Sequence, residues 1–324
     1  SFYYYRFKAS NTVSGAESWA PNSSRVKSAV AKLPLYYRMP IAFNGYDKNE
    51  TLTNFPALVM FNEGITNFLY NTFKPGGVNL RFLDITGTSD LNYEIDQWNT
   101  NGDSYIWVQI PQLTNSCSIW AYWGSSDTDS PPYTVNGTTW SNSFNAVWHL
   151  GEQVTDEQTT GIHYDSTASR IHGSQINNSP TNGMILGGQN FDGTNDYIRS
   201  ANAMPAAAYS KEAWVWRTNT GANNIISSDG TAFWAPDSGN KLASGHTGSW
   251  FYVQDSIALP TDSWQYVAVT YDPNVAGGRT ILYRNGAQVA LATAGGVHTL
   301  GATTWIGSHN NGNWFSGQID EARI

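Results

Sequence analysis

Turn-forming residues recur along this chain at roughly 8–12-residue spacing, a rhythm that admits short strands and little else. In the second half the firmest strand-like runs are Ala213-Trp214-Val215-Trp216, Trp250-Phe251-Tyr252-Val253, Trp264-Gln265-Tyr266-Val267-Ala268-Val269-Thr270 and Thr280-Ile281-Leu282-Tyr283-Arg284. Asn285-Gly286, followed by Ala287-Gln288-Val289-Ala290, is the strongest hairpin signal, because both central residues of a type I′ turn need positive φ. In the first half Pro40, Pro56, Pro75-Gly76-Gly77, Gly87 and Asn101-Gly102 separate similar runs. Alternation at period two is clearest in Leu91-Asn92-Tyr93-Glu94-Ile95 and Tyr105-Ile106-Trp107-Val108-Gln109-Ile110. Thr66 to Phe73 reads as one short helix. The expected class is all-β.

At 324 residues the chain is long for one core and suits two domains of about 150 residues each. The segment 1–34, with its aromatic start Phe2-Tyr3-Tyr4-Tyr5, reads as an edge strand and a linker. Residues 35–124 read as a β-rich domain, and the Ser/Thr/Asp/Pro-rich stretch 125–145 as a linker or long loop. Residues 146–324 read as a β-sandwich. Charged residues are only 13% of the chain, against ~25% in an average soluble domain. Asn, Gly, Ser and Thr supply the polarity instead, as in turn-rich sandwiches that work outside cells. A net charge of −8 with no Lys/Arg run excludes nucleic acid as a partner. No 18-residue apolar stretch is present, so membrane insertion is not expected. Cys117 is alone, which excludes an intrachain disulfide.

Six motifs occur in order: Phe191-Asp192-Gly193-Thr194-Asn195-Asp196-Tyr197-Ile198, Glu212-Ala213-Trp214-Val215, Asp262-Ser263-Trp264-Gln265-Tyr266-Val267, Leu282-Tyr283-Arg284-Asn285-Gly286, Trp305-Ile306-Gly307 and Gly317-Gln318-Ile319-Asp320-Glu321-Ala322-Arg323-Ile324. Over about residues 161–324 this series resembles the laminin-G-like, concanavalin A-like lectin/glucanase jelly rolls. Residues from about 35 to 124 resemble a bacterial and archaeal extracellular domain of unknown function. The residues that carry this second resemblance are Tyr37-Arg38, Leu52-Thr53-Asn54-Phe55-Pro56, Leu80-Arg81-Phe82, Tyr93-Glu94-Ile95, Trp107-Val108-Gln109-Ile110-Pro111 and Ala121-Tyr122-Trp123-Gly124. The pairing implies a secreted or cell-surface protein whose domains adhere to a glycan or cell-surface polysaccharide, without catalysis. A structural spacer is the competing class, and a polysaccharide-degrading hydrolase a third.

The resemblance also implies a structural Ca²⁺ where the Asp192-Gly193 turn meets the strand carrying Asp320. Such an ion takes about six to eight oxygens, which strand-end carboxylates and turn carbonyls provide. The expected ligands are Asp192 and Asp320, with Asn195 and Asp196, and Glu321 adjoining. For the glycan the candidates are Trp234, His246, Trp250, Tyr252, His309 and Trp314, which lie in or beside segments rich in Gly and Asn, while Trp214, Trp264 and Trp305, on regular strands, are expected in the core. Glu94 and Asp96 point to one face of a strand, the spacing that glycosidases of the concanavalin A-like clan use for nucleophile and helper. Trp98 and Asn99 stand where that pattern has its third carboxylate, so no enzyme is expected.

Overall fold

The computed structural model describes residues 8–10, 17–19, 37–275, 277–293 and 298–324. Lys8–Ser10 and Glu17–Trp19 pair as an antiparallel ribbon of their own. The rest of the expected N-terminal edge strand and linker lies outside the described residues.

Two three-stranded antiparallel sheets build the first domain. One orders Tyr37–Ala42, Ser118–Trp123 and Arg81–Leu83, the other Leu52–Phe61, Ser104–Leu113 and Tyr93–Gln97. Phe61, Phe68, Phe82, Tyr93, Ile106 and Val108 fill the space between them, each contributing about 1.5–3 kcal/mol through its burial. Successive strand residues face opposite ways, so Tyr93 and Ile95 turn inward and Glu94 and Asp96 turn outward, as does Trp107 between Ile106 and Val108. The stretch expected to be a short helix makes only one tight 3-10 turn, Tyr70–Thr72.

The second domain is a two-layer sandwich. A nine-stranded sheet runs Ile162–His163, Gly173–Ile176, Tyr197–Ala201, Thr303–Ile306, Ile226–Ser228, Thr231–Ala235, Lys241–His246 and Ser249–Ala258, with Asn223–Asn224 on Thr231–Ala235. An eight-stranded sheet runs Ser179–Asn182, Gly187–Asp192, Ser316–Arg323, Tyr209–Arg217, Trp264–Asp272, Arg279–Arg284 and Ala287–Thr293, with Val147–Trp148 on Ser316–Arg323. The last hairpin turns at Asn285 (φ 50°) and Gly286 (φ 79°), both positive as the type I′ turn demands.

Alternation corrects the expectation for two tryptophans. Ala213, Val215, Val267 and Val269 take the inner face of the eight-stranded sheet, which turns Trp214 and Trp264 outward and leaves both half-buried. There Trp214 meets Tyr266 with ring centroids 5.3 Å apart, and Trp264 meets Trp216 at 6.0 Å. Trp305 is 5% exposed, yet Ile306 beside it holds the core side, so its indole is buried on the outer side of the nine-stranded sheet.

The segment 125–145 packs along the seam of the domains through the 3-10 turns Pro132–Thr134 and Thr138–Trp140. Gly137, at φ 86°, lies so close to the Thr167 and Ala168 backbone that a Cβ would sit 2.2 Å from the Ala168 nitrogen. That approach delivers Trp140, fully buried, to the seam.

Candidate functional site

Among the described residues three clusters of chemically capable side chains emerge, two within the second domain and one at the seam. On the outer side of the nine-stranded sheet, Phe233 and Ala235 point to the core and Ala232 and Trp234 point away, joining Ala243 and Trp250. The Trp234 Nε1–H donates to the Trp250 carbonyl at 3.1 Å. Trp250 meets His309 edge to face, with centroids 5.0 Å apart, and His309 meets Trp305 at 6.0 Å. Trp234 and Trp305 are buried beneath, while Trp250 and His309 are half-buried and keep ring surface toward solvent. Burial, then the Lys211 charge, lowers the His309 pKa, which favours a neutral ring. Beyond it Asn310, Asn311 and Asn313 all have positive φ, a conformation Asn tolerates better than most side chains. The same loop carries Trp314, whose Nε1 is buried without a hydrogen-bond partner.

His246 falls elsewhere than expected. It lies on the core side of its strand, fully buried, with Nε2 3.0 Å from the Tyr209 hydroxyl and its ring 4.5 Å from Tyr271. Burial, with the Lys211 and His298 charges, pushes its pKa down to about 4. Tyr252 is half-buried with its hydroxyl enclosed.

The second cluster is Asp192, Asp196 and Glu157, each offering an oxygen within 4.8 Å of the others. The Asp192 Oδ1 accepts from the backbone N–H groups of Thr194 (2.7 Å) and Asn195 (3.4 Å), closing an Asx turn. Asp196 Oδ2 accepts from the Asp192 N–H at 2.8 Å, and Asp196 Oδ1 is left buried with no partner. That orphaned oxygen and the all-carboxylate donor set fit a hard cation such as Ca²⁺. Burial, added to the charge of Asp192, raises Asp196 to about 6. Glu157 was not legible in the sequence, since it comes from a loop 35 residues upstream. Asp320 corrects the expected ligand set. Asp192 pairs with Ser316, which puts Asp320 four residues along the strand, about 13 Å away. Its Oδ2 accepts from the Ile185 N–H at 2.7 Å instead, and burial, then the Glu321 charge, raises its pKa.

The third cluster was not anticipated as a unit. Val147–Trp148 pairs with the last strand so that Ala322 faces Trp148, which brings His149 opposite Glu321. Glu321 has φ 52° and sits where the strand slips register against Glu212 and Trp214, a bulge that re-aims its side chain. The His149 Nδ1 lies 2.8 and 3.0 Å from the two Glu321 oxygens and 3.8 Å from Asp96 Oδ2, and its Nε2 lies 3.9 Å from Glu94 Oε2. Thus the two outward carboxylates of the first domain reach across to the second.

Each carboxylate has a further donor. The Trp107 Nε1–H donates to Asp96 Oδ2 (3.3 Å), while the Trp140 Nε1–H (2.5 Å) and the Ser166 hydroxyl (2.7 Å) donate to Glu94. Arg323 donates to Glu321 (2.6 Å) and Glu212 (3.2 Å) and covers the Trp107 ring at 4.7 Å. Burial opposes charge on His149, but Glu321 and Asp96 outweigh it and hold the imidazole well above its ordinary value. Burial likewise opposes ionisation of Glu321 and Glu94, and the partners of each overcome it and lower both. Asp96 goes the other way, raised to about 6 by burial, against His149 and with the push of Glu321 and Glu94. A cavity of about 580 Å³ opens beside this cluster, lined by Glu94, Asp96, His149, Glu152, Gln153 and Asn182 among others.

Residues 192–324 match the family model of the concanavalin A-like lectin/glucanases superfamily, and residues 76–147 match that of a domain of unknown function (DUF2341). No curated protein matches the chain. Among solved structures it is similar to domain 4 of an extracellular arabinanase from Geobacillus stearothermophilus in complex with arabinotriose, at 20% identity and TM-score 0.43, covering 56% of this chain and 90% of that one. The binding domain of botulinum neurotoxin DC is similar at 14% identity and TM-score 0.37, covering 56% and 47%. A Trypanosoma rangeli sialidase is similar at 10% identity and TM-score 0.40, covering 72% and 42%. The chain spans less than half the length of these last two.

Proposed function

We propose that this chain is a non-catalytic carbohydrate-binding unit of a secreted or cell-surface protein, and that it holds a glycan against Trp250 and His309. One observation carries the reading. Two half-exposed rings stand 5.0 Å apart on a bed of buried indoles that fixes their orientation before any ligand arrives. A ring laid on the C–H face of a sugar buries about 60–80 Å², worth about 1.5–2 kcal/mol. The amides of Asn310, Asn311 and Asn313 beside it supply donors and acceptors for the hydroxyls. Such contacts yield affinities between about micromolar and millimolar. Ca²⁺ held by Asp192, Asp196 and Glu157 would pin the 157 loop to the turn that follows Asp192, supporting the sandwich rather than touching the sugar.

The test is a glycan array on the full chain with Ca²⁺ present, followed by calorimetry with the best ligand. Trp250→Ala is expected to weaken binding about ten- to thirtyfold, while Trp214→Ala, on the opposite sheet, leaves it unchanged. An empty array, or equal losses in both variants, transfers the case to a structural spacer. A hydrolase reading is favoured by one feature, that Glu94 and Asp96 line the cavity at the seam. Release of reducing sugar from polysaccharides, lost in Glu94→Gln, is what would establish it.

A further inference from the structure

We propose that Asp96, His149 and Glu321 form a site for one divalent transition-metal ion of the Zn²⁺ or Mn²⁺ type, bridging the two domains, with an open coordination position on the adjoining cavity. The donor geometry is the first ground. Metal–ligand bonds of about 2.0–2.2 Å place two donors on one ion roughly 3–4 Å apart. Here His149 Nδ1 lies 3.8 Å from an Asp96 oxygen and 2.8 Å from a Glu321 oxygen, a hydrogen-bond contact that has to open slightly to admit the ion, and all three donor atoms fall within 4.8 Å of one another. Asp96 and His149 also line the cavity of about 580 Å³, so a fourth ligand can reach the ion from that side.

The second ground is independent of the first. The His149 side chain is only 10% exposed, and its Nε2 has no hydrogen-bond partner. With an ion on Nδ1 the proton resides on Nε2, and that N–H faces Glu94 Oε2 at 3.9 Å. A modest approach completes the carboxylate–histidine–metal arrangement that orients metal-bound imidazoles. The outer supports are already present. Trp107 holds the Asp96 carboxylate and Arg323 holds that of Glu321, while Trp140 and Ser166 hold Glu94.

Charge supplies the third ground. The four carboxylates Glu94, Asp96, Glu212 and Glu321 outnumber the two cations they face, Arg323 and His149. Like charges gathered out of water are costly, and a divalent ion offsets them. An imidazole with two carboxylates suits Zn²⁺ or Mn²⁺, whereas Ca²⁺ requires about six to eight oxygens. The cluster of Glu157, Asp192 and Asp196 offers oxygen alone and is a different kind of site.

The full chain, freed of metal by chelation, is titrated separately with Zn²⁺ and Mn²⁺, with bound metal counted by elemental analysis. One equivalent of one of these ions is expected. Asp96→Asn and His149→Gln should each weaken it about a hundredfold or more, since changes in the outer shell alone cost about 10–100-fold. Trp107→Phe should weaken it by about tenfold, and Asp192→Asn combined with Asp196→Asn should leave it intact. Failure of the unaltered protein to take up either ion overturns the proposal, whatever the variants do. Uptake that survives both Asp96→Asn and His149→Gln also overturns it, placing the ion elsewhere.

Discussion

Two clusters of acidic side chains among the described residues are built in opposite ways. Asp192 and Asp196 are neighbours in the chain, on an Asx turn whose backbone arranges them; Asp192 and Glu157 are exposed, so water shares their charge, and Asp196 is buried beside them. Asp96 comes from a strand of the first domain, Glu321 from the last strand and His149 from the residue after Val147–Trp148, and none of the three is exposed. They hold their geometry only while two domains are docked. Local turn chemistry places Asp192 and Asp196, and only Glu157 is brought to the first cluster from elsewhere in the chain. Assembling the second takes the whole tertiary structure, which then depends on the balance of charge within it.

That contrast gives predictions of decreasing size. Arg323→Met removes the guanidinium between Glu212 and Glu321, leaving Glu212 without an ion partner and Glu321 with His149 alone. Denaturant unfolding of the full chain should register a loss of about 3–5 kcal/mol, the usual cost of breaking a buried pair from one side. A loss below about 1 kcal/mol, the level of surface pairs, would erase the distinction between the clusters. Next, Ca²⁺ at about 100 times its dissociation constant should add ~2.7 kcal/mol to the stability of the protein. Asp196→Asn should abolish this gain and Asp96→Asn should not, as measured by melts with and without chelator.

The smallest effect concerns pH in metal-free protein. His149 is raised from its unfolded value of 6.5, so its stabilisation is complete below that value and fades as pH climbs through the higher folded one. Glu94 and Glu321 are lowered from 4.5, so their contribution holds above that value and fades as pH falls through the lower folded ones. Melting temperature should therefore decline on the alkaline side of 6.5, and His149→Gln should flatten that limb. An unchanged slope in the variant would mean that another group governs it.

Turn chemistry was the most legible part of this chain. Asn285-Gly286 can be read as a hairpin because two adjacent positive φ angles select those residues, and the Asp192–Asp196 turn can be read because its hydrogen bonds span only a few positions. Which face a residue occupies was less accessible. Trp214 and Trp264 were expected inside, and His246 at a surface, yet each is settled by one step of strand alternation. Nothing in a single strand says which of its two faces meets the core. Asp320 shows the same limit along a strand, where sharing a sheet with Asp192 still leaves about 13 Å between them.

The seam is the extreme case. Glu94-Ile95-Asp96 announces two carboxylates on one face, but what they face is decided by residues 149 and 321, and by a 3-10 turn that inserts Trp140. The amino-acid sequence alone determined the all-β class, the turns and the local carboxylate pair, because these arise from backbone preferences within a few residues. Only the tertiary structure decided which indoles stack toward solvent and which charges meet at the seam. Those outcomes depend on register and on domain docking, and both are set by contacts between segments from about fifty to more than two hundred positions apart.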